Sequence, residues 1–243
     1  MILEDFVMLG KTIPEANADG RVFVCSAGMS NDLRSLVRLY PLSRWQAPAR
    51  WSISSVPVER NPRDSRRESF CLKGNRSPAQ HAAINILFQG SGTVAREHRD
   101  ALVDPYRVSS IREANERRLS LAIIEPDGVA RLHFDTSENS PNSPQLSLFA
   151  KDPSEERELG SRRFAYQPRL EFRDADGWHD LQLRDWGGYE FMRRHGDDRR
   201  HELAAAARLD AQPLLLVGNQ NNARTAWLVI SVLFPIRQRQ LDL

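Results

Sequence analysis

Two runs near the C-terminal end are apolar at nearly every position: Pro213-Leu-Leu-Leu-Val-Gly218 and Ala226-Trp-Leu-Val-Ile-Ser-Val-Leu-Phe-Pro235. Successive side chains of a strand point to opposite faces, so a run without a polar face must be covered on both sides. The two runs therefore read as buried strands, and the rest of the chain has to supply two covering layers. No alternation of strand and long helix precedes them, which argues against a parallel α/β sheet and for an α+β fold.

The remaining pattern is one of short elements. Val22–Ala27 reads as a strand ending at Gly28, Ser30–Arg34 as the start of a short helix, and Leu36–Tyr40 as a strand stopped by Pro41. Trp51–Val58 reads as a third strand, placed at an edge because Pro57 has no N–H to donate. Ser77-Pro78 begins a helix, with Ser at the cap and Pro in the first turn, and 109–118 is a second short helix. Leu119–Pro126 and Val129–Phe134 form a hairpin around Asp127-Gly128, and Arg163–Phe172 pairs with Trp178–Trp186 across Asp176-Gly177. Two helices follow, over 188–195 and 198–209. The expected architecture is α+β: two small, mainly antiparallel β units, each a curled sheet or open barrel, with short helices. The units span 1–134 and 161–243, and a polar linker joins them over 135–160.

Composition narrows the function classes. No apolar run approaches the roughly 20 residues that cross a bilayer, and the N-terminal residues lack a signal peptide's basic start and apolar stretch, so a cytoplasmic protein is expected. Two cysteines, Cys25 and Cys71, provide neither a disulfide framework nor a four-ligand zinc set. Walker, dinucleotide-binding and Gly-x-Ser-x-Gly motifs are missing, and nothing calls for a cofactor.

Net charge is only +2, but it is unevenly spread. Between Arg34 and Arg76 there are ten basic residues and three acids. Arg38, Arg44, Arg60, Arg63, Arg66, Arg67, Lys73 and Arg76 are the candidates for phosphate contact, since each neutralised phosphate releases counterions. Tyr40, Trp45 and Trp51 lie among them as stacking candidates. The competing account is that 31 Arg against 3 Lys reflects a GC-rich genome and a solvated surface. The polar loop Gly218–Arg224 between the two buried strands has amides suited to a base edge or a phosphate.

The 135–160 segment is rich in Ser, Pro, Asn and acid, a composition that packs no core. Inside it lies Gln145-Leu146-Ser147-Leu148-Phe149. This pentapeptide resembles the linear motif with which bacterial DNA polymerases and repair factors dock on the β sliding clamp. The resemblance implies that Leu146, Leu148 and Phe149 fill an apolar pocket while Gln145 and Ser147 complete the peptide. A second attachment, to DNA threaded through the clamp, would raise so short a peptide's affinity through effective concentration. The plainer reading is a short strand or anchor packed on its own protein.

A further set of motifs runs along the chain: Lys11-Thr-Ile-Pro14, Val24-Cys-Ser-Ala-Gly28, Arg38-Leu-Tyr-Pro41, Arg67-Glu-Ser69, Asp185-Trp186, Val217-Gly-Asn219 and Trp227–Val232. In order and spacing they resemble a group of uncharacterised bacterial proteins, and the resemblance carries no activity. Gly187 stands where an acid after Asp-Trp is expected.

Catalytic candidates are few. His179, Asp180 and Asp185 fall on one expected strand, with His179 and Asp185 on one face by alternation, and Glu190 and Glu202 follow. Such a set suits Mg²⁺ or Mn²⁺ in phosphodiester hydrolysis. Ion pairs with Arg184, Arg193 and Arg194 are the plainer account, and no metal site is assigned. Cys25 reads as a structural cysteine. The leading expectation is a non-catalytic, DNA-associated protein that docks on the clamp. A metal-dependent nuclease and an interaction subunit of a larger complex are the alternatives.

Overall fold

The computed structural model describes residues 1–16, 22–42, 48–74, 89–136, 164–221 and 223–233. Its first sheet contains β1 (Ile2–Lys11), β2 (Glu15–Ala16), β3 (Val22–Ser30), β4 (Ser35–Leu42), β5 (Ser52–Arg60), β6 (Ser69–Leu72) and β7 (Gln89–Thr93). Neighbours run β1-β3-β4-β6-β5, and β5 returns to β1 and closes a barrel. Taken in chain order, the five barrel strands lie as 1-2-3-5-4. The third and fifth are parallel and every other neighbour is antiparallel. That is the Greek-key connectivity of the oligonucleotide/oligosaccharide-binding barrel. Leu3, Phe6, Met8, Val24, Val37, Leu39, Val56, Val58, Phe70 and Leu72 fill its interior.

A middle sheet consists of β8 (Arg107–Val108), β9 (Leu121–Ile124), β13 (Leu214–Asn219) and β14 (Trp227–Leu233), ordered β14-β13-β9-β8. The outer sheet is β10 (Arg131–Thr136), β11 (Tyr166–Asp174) and β12 (Gly177–Gln182), all antiparallel. The two apolar runs thus form β13 and β14, covered on both faces as their composition requires. Leu214, Leu216, Ile230 and Leu233 share a cluster with Val7, Leu9, Ala27, Met29 and Leu36 of the barrel. Leu215, Val217, Val229 and Val232 share another with Leu170 and Phe172 of the outer sheet. The fold is mixed α+β, with short helices such as Ile111–Glu116 and Trp186–His195 between the strands. The 135–160 segment expected to separate two units is bridged by two ladders, β10–β11 and β9–β13.

Several local expectations are corrected. Strands β9 and β10 do not pair with one another, although Gly128 turns the chain with φ +89°. All four residues of β9 are buried, so it needs cover on both faces and joins the middle sheet. β10 is partly exposed along its length and takes the outer one. Residues 31–34 form a hairpin turn joining β3 to β4 rather than a helix, and β4 continues through Pro41. β5 is no edge strand, because barrel closure places β1 beside it, with Pro57 opposite Ile2. The strand around Trp178 stops at Gln182, and Asp185 begins the helix Trp186–His195. The hairpins across Asp176-Gly177 and between β13 and β14 form as read. The helix expected from Ser77 lies outside the described residues. No helix among them is long and apolar enough to cross a membrane.

Candidate nucleic-acid interface

The β5–β6 connection, residues 61–68, carries three of the candidate arginines, Arg63, Arg66 and Arg67, and its conformation is fixed by its own polar side chains. Asn61 Oδ1 accepts the Arg63 N–H at 3.0 Å, and Asp64 Oδ1 accepts the Arg66 N–H at 3.1 Å. Both are turns in which a side chain bonds the backbone two residues on. Asn61 Nδ2 also donates to the Tyr40 carbonyl at 2.9 Å, tying the loop to the end of β4. The result is an alternation: Asp64 and Arg66 point inward and are buried, while Arg63, Ser65 and Arg67 point outward and are exposed.

The inward pair is a buried salt bridge. Arg66 Nε lies 2.8 and 2.9 Å from the two Asp64 carboxylate oxygens, and Arg66 Nη1 donates to the Asn219 carbonyl at 2.6 Å. Burial alone would raise the Asp64 carboxyl. The Arg66 side-chain and backbone bonds, with Ser69 and the Arg66 charge, outweigh it and hold the group at about 2. Arg38 is buried too. Its Nη1 lies 3.2 Å from Cys25 Sγ, and its Nη2 donates to the Ser120 carbonyl at 3.0 Å. Arg38 and Arg66 therefore fasten the barrel to the middle sheet, and their guanidiniums are spent on internal acceptors.

The outward group remains. Among the described residues neither Arg63 nor Arg67 forms an ion pair. Arg60 is exposed, lies over the Phe70 ring at 5.0 Å and donates to the Arg67 carbonyl. Lys73 is exposed just beyond β6. The loop after β13 buttresses this surface, with Asn221 Nδ2 donating to the Arg63 carbonyl at 3.1 Å and Arg224 Nη2 to Ser65 Oγ at 2.9 Å. Tyr40, 37 % exposed, stands at the same barrel end, and Phe23 meets it edge-on with ring centroids 6.4 Å apart. Burial and the neighbouring Cys25 push the Tyr40 phenol above its usual range, and the Arg63 charge partly offsets them. Trp51, a stacking candidate from sequence, is instead buried, with the Arg99 guanidinium 4.9 Å from its ring. Arg44, Trp45 and Arg76 lie outside the described residues, as does the whole peptide Gln145–Phe149.

The candidate residues His179, Asp180 and Asp185 lie in three separate sets of contacts. His179 and Asp180 are neighbours on β12 and face opposite ways. His179 Nε2 lies 2.8 Å from Asp174 Oδ2. Asp180 accepts from Arg169 Nε at 3.0 Å and lies 2.9 Å from His133 Nε2. Asp185 sits beyond the strand as a helix cap. Its oxygens accept from the Gly187 N–H at 2.6 Å, Ser231 Oγ at 2.6 Å, the Val232 N–H at 3.0 Å and Arg50 Nη2 at 2.9 Å. Glu190 pairs with Arg193 and Arg194, and Glu202 with Arg199. No group of three or more His, Cys, Asp or Glu able to hold a metal occurs among the described residues.

Sequence reasoning did not separate inward from outward arginines, and it missed Asn61, Asp64 and Ser65 as the residues that set them. The available signal was spacing: Asn61-x-Arg63 and Asp64-x-Arg66 are both side-chain-to-backbone turn patterns. No curated protein and no solved structure matches the chain. Residues 3–104 match the model of a family described as Domain of unknown function (DUF8758). The stretch that holds the whole barrel and its arginine-bearing loop is thus similar to a domain with no assigned activity.

Proposed function

We propose that this chain is a nucleic-acid-associated binding protein whose contact surface is the 60–68 loop of the barrel, with Arg63 and Arg67 as the principal phosphate contacts. Arg60, Arg224 and Lys73 extend the same positive rim. The observation that carries the reading is the alternation in this loop. It holds two unpaired cations outward on a backbone already fixed by Asn61 and Asp64, so little ordering entropy remains to be lost on binding. Docking on the β sliding clamp through Gln145–Phe149 belongs to the same proposal and rests on the peptide sequence. Together they describe a protein recruited to replicating or repaired DNA. The nuclease alternative is less well supported, because His179, Asp180 and Asp185 each serve a separate internal contact.

The test is a titration of labelled DNA at several salt concentrations. A surface of two to four phosphate contacts gives a log–log salt slope of roughly −1.5 to −3.5. Changing Arg63 and Arg67 to Ala should reduce the slope by roughly 1.5 and weaken binding. Binding that ignores both salt and these changes would refute the surface. Clamp capture is tested separately with Gln145→Ala/Phe149→Ala, which should lose it.

A further inference from the structure

The outer face of β3 and β4 is where a barrel of this connectivity usually receives an oligonucleotide. Here most of that face is already taken. Ala27, Met29 and Leu36 are packed against Leu121, Leu216 and Ile230 of the middle sheet. Arg38, the next outward residue on β4, closes the seam by reaching Ser120 and Asn219. Tyr40 is the next outward position beyond it, and it emerges at 37 % exposure. At that point the arginine-bearing loop arrives, held by the Asn61–Tyr40 bond, and the 219–224 loop arrives through Asn221 and Arg224.

We infer that this rim takes a single strand, one unstacked base on Tyr40 with the adjoining phosphates on Arg63 and Arg67. Three features lead there. The edge-on Phe23 contact occupies at most one face of the Tyr40 ring. An aromatic face beside cations is the pairing that base stacking and a phosphate backbone both need. The sealed face leaves no long groove, so the footprint is short. A duplex keeps its bases stacked inside and offers the rim only phosphates, whereas a single strand offers both partners. The inference rests on the reading that this loop contacts nucleic acid, and it adds the class of ligand.

The experiment compares fluorescence-labelled dT12, rU12 and a hairpin duplex against the full chain and its variants Tyr40→Ala, Tyr40→Leu, Tyr40→Trp and Arg63→Ala/Arg67→Ala. The expected result is preference for the single strands. Tyr40→Ala and Tyr40→Leu should each weaken single-strand binding by about 5- to 100-fold, the range for loss of one stacked base. Their salt slope should stay unchanged. Tyr40→Trp should retain binding. Leu fills the space without offering a ring, so a loss shared by Ala and Leu and absent in Trp separates stacking from a fold defect. The dT12 and rU12 arms show whether the sugar matters. Equal or tighter duplex binding, or Leu behaving like Trp, overturns the inference, and continued dependence on Arg63 and Arg67 then keeps the basic surface. No binding of any probe overturns both.

Discussion

Removing the Asp64 carboxylate tests most directly whether the loop is built by its inward pair. The side chains of Arg66 and Asp64 are 7 % and 4 % exposed. Asp64→Asn keeps the shape but leaves the Arg66 guanidinium buried without its counter-charge, and breaking one side of such a pair costs about 3–5 kcal/mol. The pH dependence supplies a second, independent figure. Asp64 is held at about 2 against an ordinary 3.8. A depressed carboxylate stabilises above its unfolded pKa, and the contribution is lost as pH falls through the folded value. That depression corresponds to about 2.5 kcal/mol, present at pH 5 and gone below about pH 2. Urea denaturation at pH 7 should therefore show Asp64→Asn destabilised by about 3 kcal/mol. The gap from wild type should narrow between about pH 4 and pH 2, as the wild-type carboxyl protonates. Replacing both partners, Asp64→Leu with Arg66→Met, should recover much of the loss, because it leaves no orphan charge. A loss below about 1 kcal/mol at pH 7, or a gap constant down to pH 2, would refute the view that this pair organises the loop.

Two further outcomes follow from the packing. Asp185→Ala removes four bonds, one of them the helix cap, and should lower stability by about 2–4 kcal/mol in a thermal melt, leaving Arg50 Nη2 and Ser231 Oγ without their acceptor. A near-neutral Asp185→Ala would free that residue for another role. Gly10→Ala should cost about 1–3 kcal/mol by chemical denaturation, since an added Cβ overlaps the Ser231 side chain and would force β1 and β14 apart.

Much of the layering was legible in the chain. β13 and β14 announced themselves through runs with no polar face, and Asp176-Gly177 marked the hairpin between β11 and β12. Barrel closure was not legible, because β1 meets β5 and β4 meets β6 across stretches whose local pattern says only strand. The arginines were hardest to read. Arg38 finds its acceptors 82 and 181 residues away, and Arg66 finds one 153 residues away, so no local window distinguishes them from Arg63. Composition located the basic cluster, and long-range geometry decided which members face water. The strand around Trp178 misled for a related reason. Asp185 looked like one more alternating position, and its role as a cap is set by Ser231 and Val232 of β14.

The middle sheet also sets a timetable for the growing chain. β8 and β9 are complete at Ile124, but their neighbour β13 begins only at Leu214, and β14 ends at Leu233. At roughly 5–20 residues per second, about 5–20 seconds of synthesis separate Ile124 from Leu233. Throughout that interval the barrel can close, yet Ala27, Met29 and Leu36 lack Leu214, Leu216, Ile230 and Leu233, the part of their cover that β13 and β14 supply. A nascent chain at this stage presents an apolar flank to the ribosome exit and to whatever holdase stands there, until β13 and β14 emerge to cover it.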